Sequence, residues 1–279
     1  MSTSSYLYQR PAGTTQLNET TQVRIASDIV IGGDAVVMMA GPCAVESEAQ
    51  LEAVAQTLVS VGIRCMRAGA YKPRTSPYSF QGLREEGLKM LGNIKAKYPL
   101  AIVTEVLSVD QLDAVAAVAD CLQIGSRNMH NFELLKAVGS VQKPVLLKRG
   151  LAATLEEFLF AAEYILKAGN PNVILCERGV RSFDPWTRNL LDLASVPLLK
   201  EMTHLPVIVD PSHSTGKRSL VVPASRAAVA IGCDGLLIES HPTPDKALCD
   251  AAQALPLDVL TSLLPSLNTV ASAIGRSMS

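Results

Sequence analysis

Eight short apolar runs, each followed by a longer amphipathic stretch, set the pattern of this chain. The runs are Val36–Cys43, Arg64–Ala70, Ala101–Val106, Cys121–Arg127, Pro144–Gly150, Val173–Gly179, Pro206–His213 and Gly235–His241. Most are apolar at successive rather than alternate positions, as parallel strands buried on both faces are. The stretches Glu48–Ser60, Gly82–Tyr98, Ser108–Val118, Asn131–Val138, Thr154–Ala168, Asn189–Glu201, Ser219–Ile231 and Pro256–Ile274 repeat their apolar residues at helical intervals. Eight strand–helix units in 279 residues predict an α/β fold, a closed (β/α)8 barrel of the TIM type. An open, doubly wound sheet is the alternative.

One stretch precedes that alternation. In Thr21–Gly33, Val23 and Ile25 alternate with polar residues, Ser27-Asp28 forms a turn, and Ile29–Ile31 follows. This predicts a short β-hairpin able to cap the N-terminal end of the barrel. The expected organisation is a flexible tail over 1–22, a hairpin over 23–34 and a catalytic barrel over 35–279. The tail is rich in Ser, Thr and Gln and has no apolar centre, so it does not read as a secretory signal. No apolar run reaches the roughly 18 residues of a membrane span. The six cysteines form no CxxC pair, and free thiols in a reducing cytoplasm are the expectation.

Lys plus Arg number 25 and Asp plus Glu 26, for a net charge of -1. Such a balance offers no general attraction to nucleic acid or to anionic membranes. Anion binding must then come from a local cluster, and the strand ends supply one. Active sites of such barrels lie at the C-terminal ends of the strands, where Arg67, Lys72, Arg74, Arg127, Lys148, Arg149 and Arg178 fall. Unpaired cations there would be costly to desolvate. Phosphate or carboxylate ligands account for them, because Arg and Lys hold both through charge-assisted hydrogen bonds. Pairing with Glu105, Glu177 and Asp210 would neutralise only part of the set.

A second group also stands at strand ends. Cys43, His213 and Glu239 end three runs, and Asp250 follows in the last loop. A thiolate, an imidazole and two carboxylates suit a divalent transition metal. Taken singly, a buried Cys is commonly a small core residue and a His after a strand is commonly structural.

Five ordered motifs carry a family resemblance: Gly41-Pro42-Cys43-Ala44-Val45-Glu46-Ser47, Lys72-Pro73-Arg74-Thr75-Ser76-Pro77, Lys148-Arg149-Gly150, Cys176-Glu177-Arg178-Gly179 and Asp210-Pro211-Ser212-His213-Ser214. From about Ala35 to Asp250 the chain resembles 3-deoxy-D-arabino-heptulosonate 7-phosphate (DAHP) synthases of the type I-beta group. The resemblance implies condensation of phosphoenolpyruvate with erythrose 4-phosphate, the opening step of the shikimate route to aromatic amino acids. It implies that Arg127, Lys148 and Arg178 hold the phosphate of phosphoenolpyruvate, and that Arg67 and Lys72 contact its carboxylate and reacting end. Arg74, Thr75 and Ser76 would hold the aldose phosphate. Cys43, His213, Glu239 and Asp250 would bind Mn²⁺, Fe²⁺, Co²⁺ or Zn²⁺. Lys72 would assist at the aldehyde, with Glu105 and Asp210 as candidates for water and proton handling. His241 resembles a family residue that is not a ligand, and His130 and His204 are read as non-catalytic.

The same resemblance implies a homo-oligomer, usually a tetramer. No appended regulatory domain is expected around the barrel, so phenylalanine and tyrosine are not expected to inhibit through one. A separate regulatory partner is left open. The nearest rival is a 3-deoxy-D-manno-octulosonate 8-phosphate synthase acting on arabinose 5-phosphate. The Lys72–Ser76 loop differs from that family's Asn-Arg-Ser pattern and favours the four-carbon sugar. A metal-independent relative would carry Asn in place of Cys43. A catalytically inactive partner protein would have lost a ligand or a phosphate-binding Arg.

Overall fold

The computed structural model describes residues 6–9 and 20–279. Eight parallel strands close into a barrel: β3 (Ala35–Gly41), β4 (Cys65–Arg67), β5 (Ala101–Glu105), β6 (Cys121–Ile124), β7 (Val145–Lys148), β8 (Val173–Glu177), β9 (Val207–Val209) and β10 (Gly235–Glu239). Closure is made by β10 against β3, from Gly235 beside Val37 to Glu239 beside Gly41. The expected closed barrel is therefore present, and the alternative of an open, doubly wound sheet is excluded. A short C-terminal strand, β11 (Ser277–Met278), pairs parallel with Ala35 and Val36 at the start of β3.

The helices are α1 (Glu48–Ser60), α2 (Glu85–Lys97), α3 (Leu112–Val118), α4 (Phe132–Gly139), α5 (Leu155–Lys167), α6 (Ser195–Met202), α7 (Pro211–Thr215), α8 (Arg218–Ala230) and α9 (Leu257–Ala273). Local chemistry fixes several starts. Ser47 accepts from the Gln50 amide at 3.1 Å, and Thr154 with Glu157 forms a capping box on α5. Helices α2, α3 and α6 begin later than their periodicity predicts, and for α2 and α6 the cause is visible. At Gly82, φ is +89° and an added Cβ would lie 2.2 Å from the Ala70 carbonyl oxygen, so the chain is still turning there. Asn189 donates its backbone amide to Ser214 and Leu190 bridges Val180, which holds this stretch out of α6.

Side-chain parity divides the barrel into two cores. Val36, Met38, Ile102, Leu122, Leu147, Leu175 and Ile238 pack outward among the helices. Their neighbours Val37, Met39, Cys65, Val103, Cys121, Leu146, Cys176, Ile208 and Leu237 share a separate inner core. Successive strand residues face opposite sides, so the two sets follow from a period of two. The hairpin predicted ahead of the barrel is present, with β1 (Val23–Ala26) antiparallel to β2 (Ile29–Ile31). Val23, Ile25, Ile29 and Ile31 are buried and belong to the inner core, so the hairpin plugs the barrel. Each such side chain contributes on the order of 1.5–3 kcal/mol.

Of the N-terminal stretch, Tyr6–Gln9 lies against α5. The Leu7 and Tyr8 amides each donate to the Glu163 carboxylate at 3.1 Å, and Gln9 bridges Thr203. Residues 1–5 and 10–19, the rest of the expected tail up to Thr20, lie outside the described residues.

Candidate active site at the barrel mouth

The inner-facing parity continues to the top of each strand and changes character there. Two residues beyond Cys65, Val103, Cys121, Leu146, Cys176, Ile208 and Leu237 stand Arg67, Glu105, Gln123, Lys148, Arg178, Asp210 and Glu239. All seven are buried polar or charged groups. Above them opens a cavity of about 460 Å³, lined by eight cations and two carboxylates. Arg67, Lys72, Arg74, Arg127, Lys148 and Arg178 are among the lining, with Thr75 and Ser76 from the same loop as Arg74. Arg149 is not. As the neighbour of inward-facing Lys148 it turns the other way, where Nη1 pairs with Glu177 and Asp192, each at 2.9 Å. Arg181 and Arg188, absent from the expected set, line the cavity instead.

Cys43, His213, Glu239 and Asp250 meet on one wall, each offering a donor atom within 4.8 Å of the others. The elements that carry them explain the convergence. Cys43 follows β3 and Glu239 ends β10, two strands paired by barrel closure. His213 lies in α7, whose start is shaped by Asp210 and Pro211: Asp210 Oδ1 accepts from the His213 amide at 2.9 Å, and proline suits the first helical position. Asp210 Oδ2 also meets His213 Nδ1 at 2.7 Å. This directs Nε2 toward Glu239 Oε1 at 3.0 Å and Asp250 Oδ2 at 3.7 Å. Asp250 itself holds φ at +53°, a left-handed conformation that Asp tolerates better than most residues. Its Oδ2 accepts from Cys43 Sγ at 3.2 Å.

This donor set fits a divalent metal. Bond lengths of roughly 2.0–2.3 Å place donors of one ion about 3–4 Å apart, and Cys43 with Asp250, His213 with Glu239 and His213 with Asp250 stand 3.2, 3.0 and 3.7 Å apart. An imidazole whose other nitrogen is held by a carboxylate is also the usual arrangement around a bound ion. Among the described residues, no other group of three or more such side chains converges.

The wall is strongly coupled. Burial disfavours charge on His213, but Asp210 and Glu239 hold its pKa up to about 10. Burial pushes the Asp210 and Glu239 carboxyls up, yet His213 with Lys148 or Arg67 leaves both below the usual carboxylate range. The Cys43 thiol is pushed well up by its hydrogen bond to Cys249, by burial and by Glu239. Cys249 is lowered by that same bond and lies 3.2 Å from Cys43. Lys72 is buried, which opposes its charge, but Cys43 and Glu105 outweigh burial and keep it protonated.

The cations are arranged around this wall. Arg67 Nη1 donates to Glu239 Oε1 at 3.0 Å and to the Pro42 carbonyl at 3.1 Å, while its buried Nε has no hydrogen-bond partner. Lys148 contacts Asp210 closely. Lys72 lies 4.0 Å from Glu105, whose carboxylate packs over Gly125. Arg178 Nη2 donates to the His213 carbonyl at 3.0 Å, and Arg127 reaches Thr75 Oγ1 at 3.4 Å. Arg74 donates to Cys249 Sγ. His241 faces Glu46 at 3.3 Å, and His204 contacts Thr21 and the Leu7 carbonyl, so neither joins the metal-type group.

A model of the DAHP synthetase I family matches residues 16–276. Phospho-2-dehydro-3-deoxyheptonate aldolase of Thermotoga maritima is 50% identical over 248 residues, covering 89% of this chain and 73% of the relative. A 2-dehydro-3-deoxyphosphooctonate aldolase of Syntrophotalea carbinolica is 34% identical, over 88% of this chain and 94% of that protein. The crystal structure of the Thermotoga maritima DAHP synthase superposes with a TM-score of 0.93 at 47% identity, over 98% of this chain and 79% of that one. A truncated form of that enzyme gives 0.87 at 44% identity, over 93% and 95%. With a closed barrel, a cation-lined mouth and a match across nearly its whole length, the chain belongs to the DAHP synthetase I family.

Proposed function

We propose that this protein is a metal-dependent DAHP synthase, which condenses phosphoenolpyruvate, erythrose 4-phosphate and water to DAHP and phosphate. The observation that carries the proposal is one cavity in which eight cations adjoin a Cys–His–Glu–Asp group. Two anionic substrates repel each other, and such a cavity offsets that repulsion while fixing them side by side.

In this reading Arg127, Lys148 and Arg178 hold the phosphate of phosphoenolpyruvate. Arg67 and Lys72 receive its carboxylate, which gives the buried, unpartnered Nε of Arg67 an acceptor. Arg74, Thr75 and Ser76 take the phosphate of the aldose. Cys43, His213, Glu239 and Asp250 hold the ion, which when bound supplies Lewis acidity toward the aldehyde oxygen. C3 of the enolpyruvate forms the new bond to the aldehyde carbon. Lys72, protonated and buried, gives a proton to the oxygen that becomes the hydroxyl and is restored by the proton that the adding water releases. Water adds at C2, its proton taken by Glu105 or by Asp210, and phosphate departs with cleavage of its C–O bond. The reading also makes the protein a cytoplasmic homotetramer, a state that sedimentation measures. Among the described residues no helix is long and apolar enough to cross a membrane.

The test is phosphate release and product formation from phosphoenolpyruvate with erythrose 4-phosphate or arabinose 5-phosphate, before and after chelation. A higher kcat/KM with the four-carbon sugar, abolished by chelation and restored by a divalent metal, is expected. Equal use of the two sugars overturns the substrate assignment. Full activity after exhaustive demetallation overturns the metal.

A further inference from the structure

Each carboxylate on the metal-type wall has two oxygens, and the structure divides them. Glu239 Oε1 and Asp250 Oδ2 face His213, at 3.0 and 3.7 Å from its Nε2. The other two are held from outside. Gln253 Nε2 donates to Glu239 Oε2 at 2.6 Å, and Arg188 Nη1 pairs with Asp250 Oδ1 at 3.2 Å. The two holders are joined, since the same Nη1 donates to Gln253 Oε1 at 3.1 Å. Resting on the metal reading above, we propose that Arg188 and Gln253 are positioning residues of the metal centre. They keep the outer oxygens occupied, so that Oδ2 and Oε1, the latter also approached by Arg67 Nη1 at 3.0 Å, are the oxygens presented to an ion.

Three observations support this assignment. Gln253 is 2% exposed, and its side-chain amide bonds on one side to Glu239 and on the other to Arg188. Gln offers a donor and an acceptor at once, which Glu or Leu in its place would not. Arg188 is fixed to the element that carries His213. Its amide donates to the Thr215 carbonyl at 3.0 Å, and a Cβ added at Gly216 would come within 2.5 Å of Arg188 Cβ. One guanidinium thus ties the loop before α6 and the C-terminal end of α7 to the loop bearing Asp250. Finally, the Asp250 and Glu239 carboxylates both face His213 Nε2, so like charges stand close together, and the Arg188 guanidinium 3.2 Å from Asp250 Oδ1 offsets their repulsion. Oriented carboxylates bind an ion more tightly because less conformational freedom is lost, and such supporting bonds typically carry 10–100-fold in affinity.

The experiment uses the full-length apoprotein, prepared by chelation. Mn²⁺ and Co²⁺ affinities are measured by competition with a chromogenic chelator for wild type, Arg188→Met, Arg188→Lys, Gln253→Leu and the Met/Leu double variant. Visible spectra of the Co²⁺ forms and thermal midpoints of the apo forms are recorded alongside. Arg188→Met and Gln253→Leu are each expected to weaken binding about 10–100-fold and to shift the Co²⁺ bands. Arg188→Lys is expected to recover part of the loss and serves where the Met variant fails to fold. The double variant should lose less than the product of the single losses, because the two residues are bonded to each other. Wild-type affinity within twofold and unchanged Co²⁺ bands in both single variants overturns the proposal. So does a fall in affinity that tracks a lower apo midpoint while the bands stay the same. A wild type that takes up no metal overturns the metal reading itself, a result distinct from either of these.

Discussion

Arg67 and Glu239, 3% and 1% exposed at their side chains, form a 3.0 Å ion pair between the proposed carboxylate-binding and metal-binding groups. Removing one member of a buried pair leaves the other charged without its partner, at a cost of roughly 3–5 kcal/mol. Glu239 keeps His213 and Gln253, so Arg67→Met is expected at the low end of that range, measured by denaturant unfolding. Activity should fall far more than folded population. A variant as stable as wild type would show that Arg67 does not pair with Glu239.

Metal uptake should grow stronger as pH rises. A bound ion requires the thiolate of Cys43 and the neutral imidazole of His213. In the folded apoprotein the thiol is pushed well up and the imidazolium persists to about 10. Both protons must therefore be displaced throughout the neutral range, and protons compete with the ion most at low pH. Calorimetric titration in buffers of different ionisation enthalpy should count close to two protons released. Binding that is flat between about pH 6 and 9 would contradict this linkage.

Arg74 and Arg178 should separate kinetically. Each is proposed to make a charge-assisted phosphate contact, a type of bond that carries roughly 1.5–3 kcal/mol. Arg74→Ala is expected to lower kcat/KM for erythrose 4-phosphate by about 10–100-fold while sparing the KM of phosphoenolpyruvate. Arg178→Ala should do the reverse. Steady-state kinetics with each substrate varied in turn reads the difference, and equal effects on both substrates would undo the division of labour.

Gly125 leaves no room for a side chain. An added Cβ would lie 2.0 Å from Glu105 Oε1. Gly125→Ala is therefore expected to displace Glu105 from Lys72 and to cost about 1–3 kcal/mol through overpacking. If Glu105 handles a proton, kcat should drop more than KM changes. Unaltered kcat with the expected loss of stability would leave Glu105 a structural role only.

The barrel was legible in the sequence because the repeat is carried by local periodicity. Apolar runs and helical faces depend on neighbouring residues, and these survive in any tertiary setting. The seat of Arg149 was legible in principle as well, since it follows inward-facing Lys148 and strand parity turns it outward. The short helix α7 carries signals of its own, an Asp cap followed by Pro211. Other features had no local signal. Arg188, Cys249 and Gln253 sit in loops, and only packing between distant segments brings them to Asp250, Cys43 and Glu239. Helix α6 begins at Ser195 and not near Asn189 because a bridge between Val180 and Leu190 competes for that stretch.

The hairpin beneath the barrel bears on traffic. With Val23, Ile25, Ile29 and Ile31 packed into the inner core, the barrel is a cup and not a tube. Both reactants, the water and both products cross a single rim. Whatever settles nearer the floor has to arrive before its neighbour and depart after it. The sequence in which molecules come and go is thus constrained by the barrel's inner core and the four hairpin side chains beneath it, none of which takes part in the chemistry.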